Sequence, residues 1–271
     1  MAIVAIIPAR FGSTRLPGKP LSDIHGKPMI QHVHERVMRA RGVDRVLVAT
    51  DDERIASAVR GFGGEAVMTS AAHATGTDRL AEAVLTTDAS IVVNVQGDEP
   101  MVDPLGIEAA VQPLREDPAL PMATLSLPLT DVEEMLSPAV VKVVADAAGN
   151  ALYFSRSAIP HVRQRGSDPR QAAADAVSRG IARKHVGLYV YRREALLRLA
   201  SLPPSPLEEA EGLEQLRALH HGITIRVVRV EGESGLAVDT AQDLERVRAL
   251  LAPRAGQLPG KESGWRSSTS S

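Results

Sequence analysis

Residues 3–21 read IVAIIPARFGSTRLPGKPL, and this stretch decides the fold. Its first five residues, 3–7, are all apolar and mostly β-branched, without any alternating polar residue. Such a run is typical of a strand that is buried on both faces, as the strands of a parallel sheet are. Pro8 follows at the end of the run. The stretch therefore predicts an α/β protein whose first strand lies inside a mostly parallel sheet.

The residues after this strand predict an anion-binding loop. Glycine and proline disfavour helix and strand there, at Gly12, Pro17, Gly18 and Pro20. Three cations occupy the same loop, namely Arg10, Arg15 and Lys19. Loops at the carboxyl ends of parallel strands commonly bind ligands, and close backbone N–H groups with cations hold phosphates. The alternative is that these are ordinary solvated cations. The loop matches neither the P-loop nor the G-x-G-x-x-G pattern, which argues against a P-loop NTPase and a dehydrogenase.

Composition excludes several classes of protein. The net charge of −2 lacks the basic excess of a nucleic-acid binder, and 3% aromatic residues leave few rings for base stacking. The 271 residues contain no cysteine, which excludes disulfides and thiolate chemistry. No apolar run approaches the ~20 residues of a membrane span, and the N-terminal run lacks the basic flank of a signal peptide. We therefore expect a cytoplasmic protein without a nucleic-acid or membrane partner.

Asp98 is a candidate for binding a metal ion by its position, and Asp239 becomes one chiefly through a family resemblance. Residues 91–95 predict another buried strand, which leads into QGDEP at 96–100, so Asp98 is expected at the same sheet edge as the cationic loop. Asp239 follows a short apolar run and precedes a helix that Thr240 and Asp243 can cap. Mg²⁺ prefers one or two carboxylates together with waters and phosphate oxygens. A turn or helix-cap role is the alternative for each, and Glu99 is a weaker candidate.

The remaining pattern is consistent with one α/β domain over residues 1–251. Residues 128–192 read as an inserted β-rich lobe, in which residues 140–144 and 151–155 predict a hairpin. Residues 163–183 predict a long surface loop, and Thr77 is expected to cap a helix that begins beside it. Residues 252–271 predict a disordered tail.

Residues 9–20, ARFGSTRLPGKP, resemble the signature loop of the sugar nucleotidyltransferases, and within them the acid-sugar cytidylyltransferases. The resemblance extends through later motifs to about residue 250. It implies a three-layer, Rossmann-like nucleotidyltransferase fold whose inserted lobe builds a homodimer interface. It also implies a Mg²⁺-dependent transfer of CMP from CTP to the C2 hydroxyl of an acidic eight-carbon sugar, 3-deoxy-D-manno-octulosonate, with release of pyrophosphate.

The resemblance also assigns roles to residues of this chain. Nucleotide binding falls to Ala9, Arg10, Arg15, Lys19, Gly76, Thr77, Gln96 and Asp98. Sugar binding falls to Arg79, Gln96, Arg156, His185, Tyr189, Glu214 and Gln215. Asp98 and Asp239 would bind the metal, and Lys19 and Arg15 would neutralise the leaving pyrophosphate, so these four are the expected catalytic residues.

Alternatives remain open at this point. A cytidylyltransferase for a sialate-type or 8-amino sugar would carry the same motifs, and a catalytically silent nucleotide-binding regulator belongs to a different class. For individual residues, Arg156 can instead form a structural salt bridge, Tyr189 can be a core residue, and Glu214 and Gln215 can be surface residues.

Overall fold

A computed structural model describes residues 2–12, 15–73, 75–163, 168–232 and 235–252, together with the backbone of residues 266 and 267. Within these residues, ten strands form one large sheet: β1 (Ile3–Ala9), β4 (Arg45–Thr50), β5 (Glu65–Met68), β6 (Ile91–Asn94), β7 (Met122–Pro128), β8 (Lys142–Ala145), β9 (Ala151–Ser155), β10 (Arg183–Arg192), β11 (Ile225–Glu231) and β12 (Arg266–Ser267). A separate ladder consists of β2 (Asp23–Ile24) and β3 (Lys27–Pro28).

Helices connect the strands and cover the sheet. They are α1 (Met29–Val37), α2 (Glu53–Gly61), α3 (Gly76–Val84), α4 (Pro104–Glu116), α5 (Val132–Leu136), α6 (Pro169–Ser178), α7 (Arg193–Ser201), α8 (Pro206–Glu211), α9 (Gln215–His220) and α10 (Ala241–Leu251). A single 3₁₀ turn spans Lys19–Leu21.

The large sheet is mostly parallel, as predicted. Its main path runs β12-β11-β7-β10-β6-β1-β4-β5, and the pairs β6–β1, β1–β4, β4–β5 and β7–β11 are parallel. The exception in the middle is β10, which is antiparallel to both β6 and β7. Because β1 and β6 are parallel neighbours, the loops that follow them leave the sheet side by side.

Alternate residues of β1 point into two different cores, which explains its uninterrupted apolar sequence. Ile3, Ala5 and Ile7 pack with residues of α1, α2 and α4, whereas Val4 and Ile6 pack with residues of α3, α7 and α9. All five are essentially inaccessible to solvent. Burying a branched aliphatic side chain contributes about 1.5–3 kcal/mol, so a polar residue at any of these positions is strongly disfavoured. The predicted three-layer α/β fold is confirmed.

The structure revises the boundaries of the predicted lobe at 128–192. The hairpin β8–β9 forms as predicted, and β8 touches β10 at the pair Lys142–Lys184. However, residues 189–192 of β10 pair with β6 in the middle of the large sheet, so the end of the segment belongs to the main domain.

The predicted surface loop at 163–183 is also wrong for much of its length. Residues 164–167 lie outside the described part of the chain, and the helix α6 follows them. Asp168 caps α6 by accepting a hydrogen bond from the Gln171 amide, and Pro169 occupies the first turn. The predicted disorder of residues 252–271 concerns a segment that lies outside the described part from residue 253 on, except for the short pairing of β12 with β11.

Candidate functional site

The cationic loop after β1 is fixed by the aromatic ring of Phe11. The Gly18 amide donates a hydrogen bond of 3.0 Å to the Phe11 carbonyl, and the Arg54 guanidinium lies 3.3 Å from the centroid of the ring. Gly18 has φ +70°, and a β-carbon on it would meet the ring at 3.2 Å. Arg54 is itself held by Asp52, the N-cap of α2, through bonds of 2.6 and 2.9 Å. The loop therefore has a defined path, although residues 13 and 14 lie outside the described part.

The loop after β6 crosses directly over the end of β1, and Gly97 makes this possible. A β-carbon at position 97 would lie 2.7 Å from the Pro8 carbonyl oxygen, a distance that real structures do not tolerate. Only glycine allows this close approach. The next residue, Asp98, consequently lies beside the cationic loop, and its carboxylate is 2.7 Å from the Lys19 ammonium.

A third segment brings Asp239 to the same place. The Val238 amide donates a 2.9 Å hydrogen bond to the Asp98 carbonyl, and the Val238 side chain is fully buried. The Asp239 carboxylate then lies 3.3 Å from the Lys19 ammonium and 3.1 Å from the Arg15 guanidinium. The Lys19 side chain is 14% exposed and that of Arg15 is 64% exposed, so water screens the Arg15 pair far more. Two acids and two cations thus form one cluster in which charge is balanced.

A cleft of about 270 Å³ opens above this cluster. Its lining residues are Pro8, Ala9, Arg10, Gly12, Lys19, Pro20, Gly76, Gln96, Gly97 and Asp98. The structure therefore brings six of the residues predicted for nucleotide binding into one cleft. Arg15 contacts the cluster beside it, and Thr77 lines a neighbouring cavity.

That neighbouring cavity, of about 130 Å³, shares Gly76 and Gln96 with the cleft. Its lining residues are Gly76, Thr77, Asn94, Gln96, Met122, Tyr189, Tyr191, Leu199, Glu214 and Gln215. Four residues predicted for sugar binding, Gln96, Tyr189, Glu214 and Gln215, lie here. Within the described residues, Asn94 Oδ1 and Glu214 Oε1 are buried without a hydrogen-bond partner. Buried polar atoms are rarely left unsatisfied, so these two are suited to a hydroxylated ligand.

Asn94 and Tyr191 are site residues that the sequence analysis missed. Asn94 is the single polar residue in the run of residues 91–95, and it is only 4% exposed. A polar side chain inside a buried strand was the available signal, because burying an amide costs free energy unless it has a partner. Tyr191 lines the same cavity, and burial raises the pKa of its hydroxyl.

The predicted helix cap at Thr77 is wrong by two residues. Thr75 is the N-cap of α3, and its hydroxyl and the Asp78 side chain form a reciprocal capping box. The Thr77 hydroxyl is therefore not needed for capping, and it donates a 2.7 Å hydrogen bond to Glu214 Oε2. This bond joins α3 to the start of α9 across the cavity.

His185 lies between the rings of Phe154 and Tyr189, at centroid distances of 5.0 and 5.3 Å. Its Nε2 atom is 2.9 Å from the Thr124 hydroxyl oxygen, and that hydroxyl also lies 2.8 Å from the Leu188 carbonyl oxygen. Burial lowers the pKa of His185 to about 3, so the imidazole is neutral at physiological pH. It is suited to hydrogen bonding and not to holding a carboxylate by charge.

Glu99 is separated from the acid–cation cluster. It lines a different cavity, of about 400 Å³, together with Val102, Val140 and Gly187, and Asp98 does not line that cavity. Burial, and then the charge of Asp98, raise the pKa of the Glu99 carboxyl to about 7. Its ranking as the weaker metal-ligand candidate stays a prediction.

The two arginines predicted for sugar binding, Arg79 and Arg156, line neither the cleft of the cationic loop nor the cavity that contains Glu214. Arg79 is fully buried, donates to Asp51 at 2.9 Å and also bonds Thr69, so its charge is used inside the scaffold. The prediction for Arg79 is therefore corrected to a structural role. Arg156 is half-buried, and its guanidinium donates to the carbonyl oxygens of Glu211 and Pro138 at 2.6 and 3.0 Å. Its expected contact with a sugar carboxylate stays a prediction.

The acidic side chains beside the cations are the candidate ligands for a metal ion. Within the described residues, no group of three or more His, Cys, Asp or Glu side chains is close enough to hold a metal ion. The two carboxylates of Asp98 and Asp239 are the acidic pair that the structure does bring together, through their shared contact with Lys19. In the described part of the chain, no helix combines the length and the apolar character required to cross a bilayer.

Known proteins resemble this chain over most of its length. A family model described as cytidylyltransferase matches residues 4–225. Proteins named 3-deoxy-manno-octulosonate cytidylyltransferase from Syntrophotalea carbinolica and Geobacter sulfurreducens are 58% and 57% identical over 251 residues, covering 93% of this chain and 99% and 100% of their own lengths.

Solved structures of cytidylyltransferases also resemble this chain in fold. A CMP:2-keto-3-deoxy-manno-octonic acid synthetase complexed with CTP superimposes with a TM-score of 0.85 at 49% identity, covering 93% of this chain and 99% of that one. A cytidylyltransferase from Leptospira borgpetersenii, 18% identical with a TM-score of 0.59, covers 92% of this chain and 86% of its own, and shows the shared fold alone.

Proposed function

This chain belongs to the cytidylyltransferase family, and from that premise we propose that it transfers the cytidylyl group of CTP to 3-deoxy-manno-octulosonate, giving the CMP-sugar and pyrophosphate. Relatives above 50% identity that span nearly the whole chain carry this activity in their names. The reaction consumes CTP, which is supplied in the cytoplasm, and it activates the sugar for lipopolysaccharide synthesis.

The observation that carries the proposal is the pair of adjoining cavities. One contains the cations Arg10 and Lys19 and suits a triphosphate. The other presents Asn94 Oδ1 and Glu214 Oε1, which accept no hydrogen bond in the described part of the chain, and suits a polyhydroxylated sugar. Gln96 lies in the wall common to both. Two substrates bound in these cavities meet at Gln96, as a group transfer between them requires.

The reaction needs positioning and charge stabilisation but no protein nucleophile. The C2 hydroxyl oxygen of the sugar attacks the α-phosphorus of CTP, its proton is lost to solvent, and the bond between the α-phosphorus and the bridging oxygen breaks. The electron pair of that bond leaves with pyrophosphate. We expect Lys19 and Arg15 to neutralise this developing charge, which is the main contribution of fixed cations in phosphoryl and nucleotidyl transfer.

We also infer that the site takes Mg²⁺. The charges of Lys19 and Arg15 are already balanced by Asp98 and Asp239, so a triphosphate with several negative charges needs a further cation. Two carboxylates with phosphate oxygens and water match the ligands that Mg²⁺ prefers, so Asp98 and Asp239 would hold it. When bound, Mg²⁺ acts as a Lewis acid on a phosphate oxygen and lowers the pKa of a nearby hydroxyl.

The test of the proposed function is pyrophosphate release measured with each of the four NTPs against several acid sugars, with and without Mg²⁺. We expect release only when CTP, Mg²⁺ and 3-deoxy-manno-octulosonate are all present. Faster turnover of a sialate-type or 8-amino sugar would change the assigned substrate. Release that is independent of any sugar would refute the transfer reaction, and CTP binding without turnover on any sugar would favour the regulator.

We further propose a homodimer that uses the β8–β9 hairpin. Among the described strands, β9 pairs with β8 alone, so its outer edge is unpaired, and its Leu152 side chain is 62% exposed. An unpaired edge with an exposed apolar residue is a favourable surface for association. Light scattering of the wild type and of Leu152→Lys should give a dimer and a larger monomer fraction, respectively; a monomeric wild type would contradict the proposal.

A further inference from the structure

Lys142 is a lysine whose ammonium group is buried in the interior, in the strand β8. Its side chain has no accessible surface, and its ammonium donates to three backbone carbonyl oxygens, those of Ser137, Val140 and Arg156, at 2.8, 2.6 and 2.5 Å. An ammonium has three donors, so every one of them is used. Burying a charge costs free energy unless its donors are satisfied, and these three bonds satisfy them. The bonds also connect three separate points of the surrounding backbone.

Arg156, whose carbonyl accepts one of the Lys142 bonds, connects β9 to α8 by hydrogen bonds. The Arg156 side chain donates to the Glu211 carbonyl at 2.6 Å, and the Arg156 amide donates to the Glu211 carboxylate at 2.9 Å. The same carboxylate accepts a 2.7 Å bond from the Ser155 hydroxyl. The end of β9 is therefore fastened to the last residue of α8 by three separate hydrogen bonds.

The fastened turn leads directly into the wall of the cavity proposed for the sugar. Gly212, at φ +60°, ends α8, and Glu214 and Gln215 follow two and three residues later in that wall. Glu214 is held on its other side by the Thr77 hydroxyl. A displacement of the turn at 211–212 is thus transmitted to Glu214 over two residues, whereas Lys19 in the cationic loop of the other cavity bonds Asp98 and Asp239.

We propose that Lys142 is a positioning residue for the acceptor sugar: through Arg156 and Glu211 it sets the position of Glu214 and Gln215, without touching either substrate. This assignment rests on the proposed function, since it identifies what fixes the sugar side of that site. It explains why a charged residue occupies a buried position in a hairpin that otherwise packs through apolar side chains.

The test uses Lys142→Met, which keeps an unbranched side chain one atom shorter and removes its three donors. We expect the KM for the sugar to rise about tenfold or more, while the KM for CTP stays within about twofold of the wild type. Lys184→Met is the matched control, because Lys184 faces Lys142 across the β8–β10 pair but bonds Glu134 and not the turn at 211–212. Both KM values of this control should stay within about twofold of the wild type.

A second measurement separates this inference from the proposed function. In Lys142→Met, amides of residues 211–216 should exchange hydrogen about tenfold faster or more, whether or not the enzyme assay works. Unchanged exchange there, an unchanged KM for the sugar, or an equal rise in both KM values would each overturn the inference. If Lys142→Met does not fold, Glu211→Gln, which weakens the next connection, decides by the same criteria. Failure of the wild type to release pyrophosphate refutes the function alone.

Discussion

Replacing His185 with glutamine should make the protein less sensitive to acid. Burial lowers the pKa of His185 in the folded protein from 6.5 to about 3, so the folded state holds the neutral ring. The unfolded chain takes up a proton at this residue once the pH falls below 6.5. Stability that is fully present above pH 6.5 is therefore lost as the pH falls from 6.5 towards 3. Each pH unit within that window costs up to about 1.4 kcal/mol, so lowering the pH from 7 to 5 removes about 2 kcal/mol at this residue.

The assay is urea unfolding of the wild type and of His185→Gln at pH 7 and pH 5. The loss of unfolding free energy between the two pH values should be about 2 kcal/mol smaller in the variant. His161→Gln, at an exposed histidine, is the control and should lose as much stability as the wild type does. If the wild type and His185→Gln differ by less than about 0.5 kcal/mol in this loss, the reasoning about the buried neutral ring is wrong.

Three further predictions concern the cationic loop and its acids. Asp98→Asn should abolish pyrophosphate release while circular dichroism shows an unchanged fold, and near-normal activity would remove Asp98 from the proposed metal site. Lys19→Ala should lower kcat about a hundredfold or more, since it loses a fixed cation at the leaving group, and a rise in the sugar KM alone would contradict that role. Gly18→Ala should lower the stability by about 1–2 kcal/mol through its positive φ and the contact with Phe11, measured by thermal unfolding. Gly26→Ala is its control, because φ is +83° there and no atom lies within 4 Å of the added carbon, so it should cost less.

The sequence predicted the parts of the site that depend on neighbouring residues and on topology. The buried apolar runs before Pro8 and before Gln96 identify two strands, and parallel strands end at one edge of the sheet. That argument alone brings Lys19 near Asp98. The bond between Asp98 and the Val238 amide joins segments far apart in the chain, so no local pattern reveals it, and Asp239 was identified through resemblance.

Other features depend on partners that a local pattern does not reveal. Arg79 is buried because Asp51, on the preceding connection, neutralises it, and the helix that carries it gives no sign of that partner. The helix α6 had a usable signal in Asp168 and Pro169, a cap followed by a first-turn proline, but the polar composition around it favoured a loop. The predicted boundaries of the lobe were wrong for a related reason, because the single strand β10 belongs to both the lobe and the central sheet.

The packing of Val238 has a consequence for the order in which the site is completed during synthesis. Val238 shares a small core with Ile24 and Met29, which follow the cationic loop, and with Leu244 and Val247 of α10. Val238 is synthesised more than two hundred residues after Ile24 and Met29, which takes about 10–40 s at ordinary elongation rates. These two residues therefore lack part of their core until then. A nascent chain that stops short of this segment has its cations and Asp98 but lacks the second carboxylate. The site is therefore completed only after α10 has been synthesised, and a chain that terminates before Val238 is unable to form it.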